Sequence, residues 1–99
     1  MDVVNNVASQ RFEIRLPDGA VAFADYRPMK GKVMFPHTVV PPAHEGKGIG
    51  SALARTALAW AREQQLQVIP ACSFFVAYMR RHPETHDLLD PGFRQQVAG

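Results

Sequence analysis

Three glycines in five positions, Gly46-Lys47-Gly48-Ile49-Gly50, stand between an apolar run and a helical one. Several N–H groups of such a turn can point one way, and the first helical turn adds unpaired donors and a positive dipole end. That combination suits a phosphate or pyrophosphate, because a Cβ there would keep the ligand from the backbone. A flexible connector is the plainer reading. The pattern is neither a Walker loop, lacking G-K-[ST] at the right spacing, nor the G-x-G-x-x-G dinucleotide fingerprint. Two side chains add chemistry of their own. Cys72 sits just before a helical stretch whose N-terminal dipole favours thiolate, although most free cysteines behave as small apolar residues. His37, with a reference pKa of about 6.5, is suited either to general-base work on an acceptor ammonium or to a structural hydrogen bond. No metal is expected: four histidines and one cysteine show no ligand spacing beyond His82 and His86, and Pro83 interrupts that pair.

The elements that must hold these residues can be read from periodicity. Residues 11–16 (R-F-E-I-R-L) alternate polar and apolar, the period-2 signal of a half-buried strand. Pro17-Asp18-Gly19 is a turn signature, and residues 20–26 resume the β pattern with Val21, Phe23 and Asp25 on one face. The two runs predict a hairpin. Residues 32–40 (K-V-M-F-P-H-T-V-V) are rich in strand formers, but Pro36 has no N–H to donate and predicts a break into two shorter strands. Pro41-Pro42 ends the run. Beyond the glycines, Ile49, Ala52, Leu53, Ala57, Trp60 and Ala61 recur at three- and four-residue spacing, which predicts a helix over residues 48–65. Residues 66–72 form a short apolar strand. Ser73 is placed to cap a second helix over 74–81, which stops before His82-Pro83. Phe23 and Trp60 are core candidates, and Arg80-Arg81 reads as a solvated face. Residues 1–9 and 88–99 are expected to be irregular.

Composition narrows the classes. The 99 residues are 46% hydrophobic and 20% charged, which fits one domain, residues 1–99, and argues against disorder. A formal net charge of +2 is too small to suggest nucleic-acid binding by itself. The single cysteine rules out an internal disulfide scaffold. No stretch approaches the roughly 18–20 apolar residues of a membrane span, and the opening MDVVNNVASQ lacks a signal-peptide pattern. A soluble, cytoplasmic domain with no membrane partner is the expectation.

The run V-V-P-P-A-H-E-G-K-G-I-G-S-A-L resembles motif A of the GNAT acetyltransferase superfamily. There a strand, an [RQ]-G-x-G-[IL]-G-type loop and a helix bind acetyl-coenzyme A. Further features resemble the short, single-domain GNAT-like group of about a hundred residues: His37-Thr38 before the loop, Pro70-x-Cys72 after the helix, and Tyr78 with His82-Pro83. Order and spacing agree with that group's arrangement across residues 11–87, which is far more specific than the glycines alone. One position departs: Glu45 stands where the family usually has Arg or Gln, and a carboxylate repels a pyrophosphate unless it points away. Lys47 is the offsetting cation nearby.

The resemblance implies roles. Main-chain groups of Thr38, Val39 and Val40 would pair with the pantetheine arm as with an added strand. The amides of Gly46, Lys47, Gly48, Ile49, Gly50 and Ser51 would hold the pyrophosphate. Residues 36–40 and 68–72 would splay to admit the arm. Cys72 would lie near the thioester, either as a nucleophile that takes the acetyl group or as an acid for the departing thiolate. Tyr78 resembles the residue that protonates the leaving thiolate in many acetyltransferases, yet it also fits the helix stripe Phe74-Phe75-Tyr78. His82 reads as a helix stop.

The expected architecture is α/β (α+β), with a mostly antiparallel twisted sheet of about five strands, a main helix after the glycine loop and a shorter second helix. The expected function is an acetyl-CoA-dependent N-acetyltransferase acting on an amine. A CoA-binding module without useful catalysis is the alternative, because only Pro17-Asp18-Gly19 joins the first two strands where larger relatives carry acceptor-shaping helices.

Overall fold

The computed structural model describes residues 1–99. Its strands are β1 (Val4–Asn6), β2 (Arg11–Arg15), β3 (Val21–Asp25), β4 (Arg27–Met29), β5 (Lys32–Phe35), β6 (Thr38–Val39) and β7 (Gln67–Pro70). The helices are α1 (Ile49–Glu63), α2 (Ser73–Arg81) and α3 (Arg94–Ala98). One sheet runs β1-β2-β3-β6, all antiparallel, and the other β4-β5-β7, where β5 and β7 are parallel.

Pro36 explains why there are two sheets. β5 is paired on both sides, and its last register position sets Phe35 against Pro70. Ala71 N donates to Phe35 O at 3.1 Å, so Phe35 turns its main chain to β7, and Pro36, with no N–H to donate, turns to the other side, where the antiparallel ladder stops. After this break β6 pairs with β3 alone, while β7 ends at Pro70. Two chain segments that run side by side at Phe35 part beyond it. That fork leaves one side of β6 unpaired.

Helix α1 closes one face. Ile49, Ala52, Leu53, Ala54, Ala57, Leu58 and Ala61 are buried, and the four alanines let the helix axis lie close to the strands. Phe12, Tyr26 and Trp60 meet with centroid distances of 5.3, 5.6 and 4.9 Å, and Phe35 stacks on Phe75 of α2 at 4.5 Å. Such pairs add about 0.5–1.5 kcal/mol each beyond their burial.

Several expectations need correction. Residues 1–9 are not wholly irregular: β1 adds an antiparallel strand to β2. Residues 88–99 hold a 3-10 turn, Pro91–Phe93, and α3, anchored because the Asp90 amide donates to Val68 O at 2.9 Å. In β3 the buried side chains are Ala22 and Ala24, whereas Phe23 is half-buried under the Arg11 guanidinium, 4.3 Å from its ring centroid. Trp60 is likewise only partly buried against the core. Ser73 does not cap α2; the cap position is Cys72, with an extended backbone and no side-chain cap bond.

Candidate functional site

The loop after β6 turns on two left-handed residues, Gly46 and Gly48, each with φ of +79°. No atom lies within 4 Å of where their Cβ would sit, so glycine is needed for the backbone angle rather than for space. Gly50 is different. A Cβ there would lie 2.7 Å from Cζ of Phe74, so α1 and α2 approach closely at this point.

The amides of residues 46–51 form an unbroken run with no acceptor in the protein. His44 and Glu45 donate to Pro41 and Pro42, and the next donor is Ala52, to Gly48 O at 3.0 Å. No side chain caps α1. All of these residues but Lys47 border a cleft of about 570 Å³ that also takes in Thr38, Val39, Val40, His44, Glu45 and Phe74. Converging N–H groups at a helix N-terminus, in a pocket with an open strand beside it, can hold a bridged phosphate anion. Lys47 does not line this cleft. It borders a neighbouring groove with Arg15 and Leu16, and the pair His44 Nε2–Asp18 Oδ2, at 2.8 Å, borders it too. Glu45 therefore faces the cleft without the offsetting cation expected from the sequence. The His44 partner holds the Asp18 carboxyl below its usual range.

β6 is an edge. The Asp25 amide donates to His37 O at 2.9 Å, and antiparallel strands alternate the direction of their main-chain groups. Val39 is thus committed to β3, while the N–H and C=O groups of Thr38 and Val40 point toward the fork. Of the three residues expected to offer main-chain pairing, two have it free.

Across the fork, Thr38 Oγ1 lies 3.5 Å from Cys72 Sγ. Cys72 is half-buried at the N-terminus of α2. The resemblance assigns Thr38 a main-chain role alone, and the structure adds the contact of its hydroxyl with the thiol. The signal was weak: the two residues are 34 positions apart.

The other two side chains are not gathered here. His37 is 64% exposed, with Nδ1 3.5 Å from Asp25 Oδ2. Tyr78 is buried on the far side of α2, its ring stacked on His82 at 4.0 Å, in a pocket shared with Arg55, Arg62 and Glu84. Burial pushes its phenol pKa up. Tyr78 lines neither the loop cleft nor the groove at Cys72.

Comparison with known proteins identifies this architecture as an acetyltransferase-type fold. The family model of the GCN5-related N-acetyl-transferases matches residues 11–88, so the chain belongs to that family. Among solved structures, the solution structure of a "GCN5-like putative N-acetyltransferase" from Staphylococcus aureus matches with a TM-score of 0.71 at 24% identity. The match covers 90% of this chain and 87% of that one, and it shows a shared fold. No curated protein matches the chain.

Proposed function

We propose that the chain binds acetyl-coenzyme A in the loop cleft and transfers the acetyl group to an amine. The observation that carries this reading is the run of free amides over residues 46–51. In it they hold the pyrophosphate, and the free main-chain groups of Thr38 and Val40 pair with the pantetheine arm. The thioester then comes to the contact between Thr38 and Cys72. The neutral amine attacks the thioester carbonyl; the C–N bond forms, the C–S bond breaks, and the amine proton leaves to solvent. The departing thiolate takes a proton, for which the Cys72 thiol is the nearest acid. In the two-step variant the Cys72 thiolate takes the acetyl group first and the amine then removes it.

The test is calorimetric titration with acetyl-CoA and with CoA, followed by release of free CoA thiol across a panel of amines. Binding with amine-dependent thiol release is the expected result. No binding at millimolar ligand overturns the proposal.

A second reading has its own support. The His37 side chain is exposed and lines neither the cleft nor the groove, and Tyr78 lies elsewhere, so Cys72 alone of the three expected catalytic side chains makes a contact across the fork. A coenzyme-binding module with little catalysis gives binding with no amine-dependent thiol release.

A further inference from the structure

Cys72 borders a second groove, of about 650 Å³, on the side away from the glycine loop. Its walls are Ala71, Val76, Ala77 and Phe93, and Arg80 lies toward its other end. Resting on the function proposed above, we propose that this groove holds the acceptor, an extended primary amine that carries a carboxylate at its far end.

Three observations lead there. The first is adjacency. Thr38 lines the loop cleft, its hydroxyl touches the Cys72 thiol, and Cys72 lines the groove. The contact is the partition between the two cavities, so an amine in the groove stands on the other side of the Thr38–Cys72 pair from the proposed thioester.

The second is charge. No carboxylate lines the groove, and Arg80 is its single charged residue. An ammonium gains nothing there, which favours entry of the neutral, nucleophilic amine. A carboxylate gains a charge-assisted hydrogen bond. The guanidinium is already fixed in place: Nε and Nη2 donate to Gln96 O at 3.3 and 2.8 Å. Nη1 remains free, on a head group whose ordering cost is met before a ligand arrives.

The third is length. Arg80 lies eight residues beyond Cys72 along α2, about 12 Å at the helical rise. Allowing for the arginine's reach, amine and carboxylate should stand on the order of 10 Å apart, the span of about three extended residues. A free α-amino acid is too short. A tripeptide, or an ω-amino acid of similar length, has the right reach.

The experiment follows backbone amide resonances during titration of the full chain, with and without CoA. The probes are a tripeptide with free termini, its C-terminal amide, 8-aminooctanoate and octylamine. The carboxylates should bind at least tenfold more tightly than their uncharged partners and shift the resonances of Ala77, Arg80 and Gln96. The tripeptide and aminooctanoate arms separate a peptide source from an aliphatic one. Arg80→Glu should abolish the preference, and Ala77→Leu, which fills the groove, should weaken all four probes. Both variants should bind CoA as the parent does. Equal binding of charged and uncharged probes, or shifts confined to other surfaces, overturns the proposal, and the parent chain alone decides this if a variant fails to fold. Loss of CoA binding in the parent chain would instead count against the function proposed above.

Discussion

The two ends of the fork between β6 and β7 are made of different material. At the glycine loop the contacts on offer are backbone amides of residues 46–51, and the side chain that faces them, Glu45, opposes an anion. At the other end two side-chain atoms meet, Thr38 Oγ1 and Cys72 Sγ, 3.5 Å apart, and the proposed chemistry rests on them. A site built from backbone tolerates most side-chain changes but not a change of φ or a new Cβ at a close approach. A site built from side chains depends on single atoms and leaves the backbone free to vary. Binding and chemistry should therefore fail separately.

The largest effect expected is at the side-chain end. Cys72→Ala should lower acetyl transfer on the order of 10²-fold, the usual worth of a positioned acid or nucleophile, while CoA affinity stays within about twofold. Steady-state kinetics and calorimetry on one preparation measure both. Full activity in that variant would dissolve the contrast.

Next come the glycines. Gly48→Ala forces a left-handed angle that costs about 1–2 kcal/mol, so CoA should bind roughly tenfold more weakly. Gly50→Val must push the Phe74 ring aside, and overpacking of this kind costs about 1–3 kcal/mol in thermal unfolding. Normal CoA affinity in both would show that the loop is not where the phosphates sit.

A smaller change tests the opposing charge. Glu45→Gln should tighten CoA binding by a few-fold at low salt, about 1 kcal/mol or less, and the gain should shrink as salt screens it. An unchanged affinity would mean the carboxylate turns away when ligand binds.

The smallest effect concerns the wall of the second groove. Asp90 Oδ1 lies 2.5 Å from Lys32 Nζ, and the Asp90 carboxylate accepts from the Gly92 amide at 3.0 Å, holding the turn that carries Phe93. The Lys32 ammonium keeps the Asp90 carboxyl below its usual range. A depressed carboxylate contributes stability that is complete above its unfolded value and lost as pH falls through its folded one. The melting temperature should therefore drop as pH falls below about 4. Asp90→Asn should lower it at pH 7 and flatten that part of the profile; an unchanged profile would remove the clamp.

Much of this was legible in the residues. The hairpin over β2 and β3, the break at Pro36 and the apolar stripe of α1 all follow from local rules: alternation, a missing N–H and a 3.6-residue period. The glycine loop was legible for the same reason, since left-handed angles select glycine locally. What failed to show was decided by partners far away in sequence. Residues 4–6 have no strand pattern of their own, and β1 exists because the edge of β2 was open to it. The tail after Leu88 is ordered by β7 and Lys32. Tyr78 fitted two helical roles equally well, and packing between α1 and α2 chose the buried one.

The sequence by itself determined the break at Pro36 and the glycine loop, because proline's missing donor and glycine's φ act within a residue or two. The tertiary structure alone decided which side chains meet there. It brought Thr38 against Cys72, withheld Tyr78 and Lys47, and opened a second groove beneath the thiol. The reason is physical: direction along a strand or helix is a local property, whereas the meeting of two side chains depends on how separate elements pack.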